Sequence, residues 1–499
     1  MEYSEEMMVD ASPEEEVSES ESESDSEFGS EEEDEGTEDY RRGGYHPVNI
    51  GDYFKSEKTR YRIEKKLGWG HFSTVWLARD TNSEQLYALK IQKSAEDYIE
   101  AAFDEISLFK DVLKYSDGNE VPVVKFIDAF KHSGPHGIHI CMVFELLSDN
   151  LYTLVQLYEY QGIPRPLLKK YAKQMLLGLD HLHRKCGIIH TDLKPENILL
   201  TAEHQLPKLY EGDPRAPPKP VVNDGVISKS KKKRLRKKAK NMGGSQIKNS
   251  SNASICESKK ILTKNQKRRL RKKKKAVEKM ESVEANTTEE DMSEKTEESQ
   301  EVEVESEPKK GRRRIKYSEE VLSELAQKLE DSRVKISDLG NGCWIRKRFT
   351  DDITTHEYRS PEIILGASWG TPVDIWSLGC IMFEIATGDI LFKPKKCEDS
   401  DDSFDDNDDH LAQMIELIGK ISRKFSMSGK KSKRYFSRHG ELKNIDSLTY
   451  WGLEDIMKEK YGWSEEDAKP FADFLTRMLQ LNPVHRESAF QLLEHEWLE

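Results

Sequence analysis

The sequence has no apolar run of about 18 residues or more, which is the length a helix needs to cross a membrane. Cysteine is scarce, with six in 499 residues, and neither the cysteines nor the histidines show metal-ligand spacing. Met1–Asp10 is acidic and lacks the apolar core of a secretory signal. These absences predict an intracellular protein with free thiols and no membrane association.

Lysine and arginine are absent from residues 1–40, where Ser, Glu and Asp dominate. Such a segment repels itself and has little to bury, so residues 1–52 are predicted to form an acidic disordered tail.

A second charged segment, residues 207–331, holds the basic runs Lys231–Lys240 and Lys264–Lys275, followed by the acidic run Glu281–Glu307. Its apolar residues are sparse, which predicts a disordered insert. The basic runs have no interleaved aromatic residues, and this favours localisation or a solvated tract over direct nucleic-acid binding. Folding back onto the acidic tail is a further alternative.

The rest of the chain carries the apolar periodicity of a folded domain in two parts, residues 53–206 and 332–499. A strand-rich piece comes first and a helix-rich piece follows, which predicts an α+β architecture split by the insert. The predicted elements are strands within Tyr61–Ala78 and at Leu86–Gln92, His139–Leu146 and Ile198–Leu200, and helices at Ala95–Leu113, Leu167–His183 and His410–Ile418.

A glycine-rich pattern of the form G-x-G-x-x-S-x-V occupies Gly68–Val75, between the first two predicted strands. Glycines at these positions let the backbone close over phosphate groups and direct amide N–H groups at them. Ser73 replaces a third glycine. Glycine-rich hairpins are common, so a plain β-turn is the alternative for this pattern taken alone.

Five further motifs follow it in sequence. They are A-L-K at Ala88–Lys90, H-T-D-L-K-P-E-N at His190–Asn197, D-L-G at Asp338–Gly340, Y-R-S-P-E at Tyr358–Glu362 and D-I-W-S-L-G at Asp374–Gly379. This order resembles the protein kinases over Tyr61–Leu206 and Ser332–Leu498. The resemblance implies a two-lobe fold, with a small β-rich N-lobe, a large helical C-lobe and ATP between them. Arg486 stands where kinases keep the arginine that pairs with the glutamate of the Y-R-S-P-E motif.

The resemblance implies an ATP site built around Lys90, which would reach the α- and β-phosphates. A buried ammonium needs a carboxylate partner, and Glu105 on the next helix is the best candidate, with Glu100 and Asp104 as alternatives. The implied nucleotide contacts are Leu67, Gly68, Trp69, Gly70, His71, Phe72, Ser73, Thr74, Val75, Lys90, Glu145 and Leu147.

The resemblance also implies the catalytic and metal residues. Asp192 would orient the substrate hydroxyl and accept its proton, and Lys194 would neutralise the γ-phosphate. Asn197 and Asp338 would hold Mg²⁺, whose preferred ligands are oxygen atoms. Lysine two positions after the aspartate is the serine/threonine-kinase form of this loop.

Four segments are similar in more detail to the SR protein kinases of the CMGC group, which phosphorylate serines in Arg-Ser repeats of splicing factors. These segments are Gly68–Trp76, His190–Asp192, Asp338–Trp344 and Asp408–Ala412. Thr354 and His356 depart from the family, which usually shows Gln and Arg in this part of the activation segment. The resemblance implies Arg/Ser-rich protein partners, ATP and Mg²⁺ as cofactors, a monomer, and a cytoplasmic and nuclear location.

An acidic patch extends from Cys397 to Asp409, and for Glu398–Asp406 a solvated loop is the favoured interpretation. Asp409 and Glu416 flank the predicted helix and are spaced to share one face. In the SR protein kinases the matching positions line a docking groove for arginine-rich substrates, together with those of Asp389 and Lys460.

Two alternatives remain open at this point. One is another CMGC kinase, either CLK-like or proline-directed. The other is a pseudokinase scaffold, although intact Lys90, Asp192, Asn197 and Asp338 argue against it.

Overall fold

The computed structural model describes residues 37–201, 206–207, 209, 315–395, 405–445 and 447–499. The acidic repeats before residue 37, both basic runs of the insert and most of the loop at Glu398–Asp406 therefore lie outside the described residues. Within the described part, no helix combines the length and apolar character needed to cross a membrane.

The N-lobe is a six-stranded antiparallel sheet with strand order β1-β2-β3-β4-β6-β5. Its strands are β1 Tyr53–Lys55, β2 Arg60–Gly70, β3 Ser73–Asp80, β4 Leu86–Gln92, β5 Phe126–Gly134 and β6 Gly137–Glu145. Helix α1, Glu96–Tyr115, packs against one face of the sheet. The strands and helix predicted for this region are confirmed, with small shifts at their ends.

Strand β6 shows why this sheet is buried on both faces. Cys141 and Val143 contribute to the small apolar cluster on one face. Met142 and Phe144 alternate with them and join the main core on the face that α1 covers. Successive side chains of a strand point to opposite faces, so an unbroken apolar run fits a sheet with two covered faces.

The C-lobe is helical, and its central helix runs from Pro372 to Thr387 with every residue after Pro372 buried. A helix that is buried on all sides lies in the middle of a core, and its few polar residues, such as Asp374 and Glu384, need partners there. The C-lobe helices are α2 Leu151–Leu157, α3 Arg165–Asp180, α4 Glu319–Lys328, α5 Pro361–Leu365, α6 Pro372–Thr387, α7 Asp406–Ile418, α8 Arg423–Ser426, α9 Ser432–Tyr435, α10 Leu453–Glu459, α11 Glu465–Met478 and α12 Ala489–Leu492. Helix α3 continues as a π-helical turn, His181–Cys186.

Two short sheets line the interface between the lobes. The first is formed by β7 Leu147–Asn150, β9 Ile198–Thr201 and β10 Val334–Ile336, and the second by β8 Ile188–Ile189 and β11 Cys343–Trp344. Strands β9 and β10 pair antiparallel, with Ile198 opposite Ile336 and Leu200 opposite Val334. The chain therefore leaves for the insert and returns from it at neighbouring points. Because its ends are already held together, a long insertion here costs little loop-closure entropy.

The described structure includes residues that the predicted boundaries placed in the tail and in the insert. Tyr45 and His46, assigned to the tail, are buried. Helix α4 lies within the segment assigned to the insert, and Leu325 and Leu329 are buried against the C-lobe. The prediction gave local charge too much weight, because Leu322, Leu325 and Leu329 still form one apolar helical face.

Candidate active site

Lys90 lies near the end of β4 and is surrounded by carboxylates. Its Nζ is 2.7 Å from Glu105 Oε1 on α1 and 3.0 Å from Asp338 Oδ1. The predicted pairing with Glu105, rather than with Glu100 or Asp104, is confirmed. Burial alone would lower the pKa of Lys90, but the two carboxylates raise it above its usual value. The ammonium group therefore stays charged in the cleft.

The glycine-rich pattern forms the hairpin between β2 and β3. Gly70 pairs with Ser73 at its tip, and Val75 on β3 lies opposite Lys90 on β4. This register places the hairpin directly beside the lysine. Ser73, which replaces the third glycine, is buried, so the hairpin accommodates its side chain.

Glu145 and Leu147 connect β6 to β7, on the interface between the lobes. The Glu145 carboxylate accepts hydrogen bonds at 2.9 Å from Lys335 Nζ and at 2.7 Å from the backbone N–H of Lys125. Its side chain thus serves a contact between β6 and β10.

The catalytic loop is held by a buried carboxylate, Asp374, from the N-terminal turn of α6. This carboxylate accepts hydrogen bonds from the backbone N–H groups of His190 at 2.8 Å and Thr191 at 2.9 Å. His183 Nε2 lies 2.8 Å from it. Sequence reasoning located the D-I-W-S-L-G motif but missed that its aspartate fixes the loop that carries Asp192.

Asp192 faces the cleft with both carboxylate oxygens engaged. Oδ1 accepts a hydrogen bond from Thr355 Oγ1 at 2.7 Å, and Oδ2 accepts one from Asn341 Nδ2 at 3.1 Å. Lys194 Nζ is 3.5 Å from Oδ2. Burial lowers the pKa of Lys194, but Asp192 and Glu196 outweigh this effect, and the net shift is upward. The loop therefore places a fixed carboxylate next to a permanent cation.

Asn197 and Asp338, the predicted metal residues, are brought together by the pairing of β9 and β10. The backbone carbonyl of Asn197 accepts hydrogen bonds from the N–H of Ser337 at 2.8 Å and from its hydroxyl at 2.9 Å. Asn197 Nδ2 donates to the backbone oxygen of Asp192 at 2.8 Å, which turns its carboxamide oxygen away from that carbonyl. One carboxamide and one carboxylate oxygen at this position fit a hard divalent cation that takes its other ligands from phosphate and water.

The activation segment, which lies between the D-L-G and Y-R-S-P-E motifs, contacts the catalytic loop. Thr191, in the place where many kinases have arginine, is buried with φ of 69°, and its hydroxyl donates to the Asn341 carbonyl at 2.8 Å. Thr354 also has positive φ, 66°, and its carbonyl accepts a hydrogen bond from Arg359 Nη2 at 2.9 Å. His356 Nδ1 lies 3.9 Å from Asp406. Of the two departures from the family pattern, Thr354 therefore makes a contact within this segment, whereas His356 contacts helix α7.

The predicted pairing of Arg486 with Glu362 is confirmed. The two side chains form a bidentate ion pair, with Nη1–Oε1 at 2.8 Å and Nη2–Oε2 at 3.1 Å, and neither is exposed to solvent. Such a pair fixes the end of the activation segment to the C-terminal part of the domain.

Two buried carboxyls were not predicted as site residues: Glu196, in the catalytic loop, and Glu384, on helix α6. Glu384 on α6 accepts a hydrogen bond from Tyr358 at 2.6 Å, and burial raises the pKa of Glu384 to about 8. Burial also raises the pKa of Glu196, and its Oε2 has no hydrogen-bond partner among the described residues. The negative charge of Glu196 also raises the pKa of Glu384, so the two carboxyls lie close enough to interact.

The predicted docking residues surround α7. The Asp389 carboxylate lies 2.9 Å from Lys460 Nζ and accepts a hydrogen bond from Tyr461 at 2.9 Å. Lys393 links Asp389 to α7, because its Nζ is 3.5 Å from Asp389 and its N–H donates to Gln413 at 3.0 Å. Asp389 and Lys460 thus meet beside this helix, and their role in docking stays a prediction.

Asp409 and Glu416 lie on α7 itself. Asp409 Oδ2 accepts from the N–H of Lys395 at 2.8 Å, and Glu416 Oε1 accepts from the N–H of Thr449 at 2.8 Å. The prediction that Asp409 precedes the helix is wrong. A capping box starts the helix at Asp406, because Asp405 is its N-cap and aspartates in the first turn favour the helix dipole.

Comparison with known proteins identifies relatives along nearly the whole chain. The model of the protein kinase domain family matches residues 61–211 and 318–498. The serine/threonine-protein kinase SRPK of Physarum polycephalum is 43% identical over 469 residues, which cover 93% of this chain and 91% of that protein. Protein kinase dsk1 of Schizosaccharomyces pombe is 38% identical, with 93% and 85% covered. SRSF protein kinase 3 of Homo sapiens is 36% identical, with 94% and 91% covered.

Proposed function

The chain belongs to the protein kinase family as a serine/threonine protein kinase, and from that premise we propose that it phosphorylates serines in Arg/Ser-rich splicing factors. ATP and a divalent metal come with the family, and we propose Mg²⁺ as the metal. The observation that carries the catalytic part is the pair of contacts that joins Lys90 to Glu105 on its buried side and to Asp338 on its solvent-facing side. A scaffold with no phosphoryl transfer has no need to hold a lysine between a buried and a cleft-facing carboxylate.

We assign the following roles to the residues of the cleft. Lys90, held by Glu105, positions the α- and β-phosphates, and Asp192 orients the serine hydroxyl and accepts its proton. Lys194 offsets negative charge on the transferred group. Asn197 and Asp338 hold the divalent ion, which when bound neutralises charge on the phosphate oxygens.

The substrate proposal rests on the relatives named SRPK and SRSF protein kinase and on the negative charge of this chain's own surfaces. Close to the catalytic loop, Glu196 and Glu384 offer buried carboxyls that a guanidinium would neutralise. Farther away, Asp389, Asp409 and Glu416 place carboxylates around α7. An Arg-Ser repeat supplies cations at short intervals on both sides of each serine, which matches this distribution of charge.

Phosphosite mapping with three matched peptides tests the proposal. Recombinant protein is incubated with Mg·ATP and an Arg-Ser repeat, a Lys-Ser repeat or a Ser-Pro repeat. We expect serine phosphorylation of the Arg-Ser repeat at the highest kcat/KM, because a planar guanidinium forms bidentate pairs that lysine does not. Preference for Ser-Pro would assign a proline-directed kinase instead. Absence of transfer to any peptide with either Mg²⁺ or Mn²⁺ would assign a pseudokinase.

The proposal includes a monomer that acts in both cytoplasm and nucleus. The basic runs at Lys231–Lys240 and Lys264–Lys275 support a localisation signal in the insert. Fluorescence of the tagged protein with and without these runs measures the distribution, and light scattering measures the oligomeric state.

A further inference from the structure

A segment that precedes the matched kinase domain is folded onto the N-lobe. We call residues 37–52 the N-terminal strap. The family match begins at residue 61, so the strap lies outside it. Its backbone is attached at three points: Ala95 N–H donates to the Gly43 carbonyl at 2.9 Å, Ser94 N–H to Gly44 at 3.1 Å, and Gly43 N–H to His136 at 3.1 Å. The strap thus joins the start of α1 to the turn between β5 and β6.

Tyr45 is the buried centre of the strap, with 3% of its surface exposed. Lys93 Nζ lies 4.1 Å from the centroid of its ring, a cation–π contact, and the same ammonium forms an ion pair with Asp39. The tyrosine side chain is therefore fixed from within the strap and from the end of β4.

The hydroxyl of Tyr45 reaches the glycine-rich hairpin. It donates a hydrogen bond of 2.8 Å to the backbone carbonyl of Gly70, the residue at the hairpin tip. On the other side of the tip, the Phe72 carbonyl accepts a hydrogen bond from the N–H of Lys93 at 2.9 Å. The tip is consequently anchored on both sides of His71.

The anchor at Gly70 sets the direction of an amide in the hairpin. In a planar trans peptide the N–H of His71 points opposite to the Gly70 carbonyl, so fixing the carbonyl toward Tyr45 directs this N–H away from the strap. A hydrogen bond at the carbonyl also polarises the peptide and strengthens its N–H as a donor. Backbone N–H groups of this hairpin are the groups that cover nucleotide phosphates in kinases.

We propose that the N-terminal strap is a built-in clamp on the phosphate-covering hairpin, and that Tyr45 is its positioning residue. The inference rests on the proposed ATP-dependent function. It predicts that the Tyr45 hydroxyl contributes to the binding of nucleotides that carry phosphates and contributes nothing to the binding of the nucleoside.

Tyr45→Phe tests the proposal, because it removes one hydroxyl and keeps the ring between Lys93 and the strap. Tyr53→Phe is the matched control, since Tyr53 is 57% exposed on β1. The dissociation constants of ATP, ADP and adenosine are measured by calorimetry, and KM for ATP, KM for an Arg-Ser peptide and kcat by steady-state assay. Thermal unfolding of each variant is recorded in parallel.

Loss of a neutral hydrogen bond predicts weaker ATP and ADP binding by roughly three- to tenfold in Tyr45→Phe, with adenosine affinity and peptide KM unchanged. The control should match the wild type throughout. ATP binding within about twofold of wild type, or an equal loss for adenosine, would overturn the clamp. A wild-type protein that binds ATP tightly but transfers no phosphate would contradict the proposed function and leave the binding comparison intact.

Discussion

The ATP cleft and the docking surface both depend on charge, but they hold it differently. In the cleft, the side chains of Lys90 and Glu105 are 15% and 2% exposed. On the docking surface, Asp389 and Lys460 are 39% and 48% exposed. A buried charge interacts strongly and in a fixed geometry, whereas an exposed pair is weakened by solvent and salt. We therefore expect single residues to determine the chemistry and groups of residues to determine the affinity for long substrates.

The largest effect is expected from Asp192→Asn. The amide keeps the size of the carboxylate, and its one oxygen can still accept one of the two hydrogen bonds from Thr355 and Asn341, but it cannot accept the hydroxyl proton. Phosphoryl transfer should fall by roughly 10²–10⁴-fold while ATP binding stays near normal. Single-turnover assays and calorimetry measure the two quantities. Near-normal turnover would show that the catalytic loop is wrongly assigned and would remove the contrast with the docking surface.

A moderate effect is expected on the docking surface when Asp409→Asn and Glu416→Gln are combined. The amides can still accept the N–H groups of Lys395 and Thr449, so the change removes charge and spares the local fold. Exposed pairs contribute about 0.2–1 kcal/mol each, so either single substitution should be mild. The double variant should bind a long Arg-Ser substrate roughly tenfold more weakly.

Two control measurements accompany this second prediction: the salt dependence of binding and the phosphorylation of a short peptide. The affinity of the wild type should weaken as ionic strength rises, and the double variant should show a shallower slope. A short peptide that reaches only the cleft should be phosphorylated at the wild-type rate by both proteins. Identical salt slopes and identical phosphate stoichiometry would mean that α7 presents an ordinary solvated face.

A smaller effect is expected when pH changes, because the protonation of Glu384 should alter the affinity for the substrate. The pKa of Glu384 is raised to about 8, chiefly by burial; Glu196 and Glu357 act in the same direction, and Tyr358 and Lys393 act in the opposite one. At neutral pH this carboxyl holds a proton, which a bound guanidinium would displace. Substrate affinity should therefore rise roughly three- to fivefold between pH 6.5 and 8.

Glu384→Gln is the control for the pH effect, because it cannot release a proton. Its substrate affinity should be flat across the same pH interval. Calorimetry in buffers of different ionisation enthalpy counts the protons released by the wild type. No proton release on binding would place the substrate arginine elsewhere.

The smallest effect, no change, is expected on removing phosphate from the activation segment. Thr191 supplies no cation beside Asp192, and Thr355 already donates its hydroxyl to that carboxylate. A phosphate on Thr355 would bring negative charge to Asp192 without the arginine that many kinases use to hold it. Protein made in bacteria and treated with phosphatase should keep full activity. A large loss would show that the segment needs a modification to become ordered.

The same contrast explains how much could be predicted from the sequence. Lys90, Asp192 and Asp338 were identifiable because their chemistry demands one residue type at a fixed place in a motif. Asp374 was located but not understood, since its hydrogen-bond partners at His190 and Thr191 are more than 180 positions away. The docking carboxylates were predicted from family resemblance. The start of helix α7, which carries Asp409 and Glu416, was missed because the prediction overlooked its N-cap, Asp405.

The strap and α4 were missed for a different reason. Tyr45 and Gly70 are 25 positions apart and joined by one hydrogen bond, which leaves no periodic signal in the sequence. Helix α4 is short and rich in charge, and the prediction gave that charge more weight than the leucines on one face of the helix. Composition predicts well where a long core forms, and poorly where a few residues fold onto a core that already exists.

The pairing of β9 with β10 has a consequence for how the chain can be divided. Asn197 lies at the start of β9 and Asp338 just after β10, on opposite sides of the insert. A fragment that ends before residue 206 carries one of these oxygen donors, and a fragment that begins at residue 315 carries the other. Neither piece alone has both, so phosphoryl transfer by two co-expressed fragments would report directly on their reassembly.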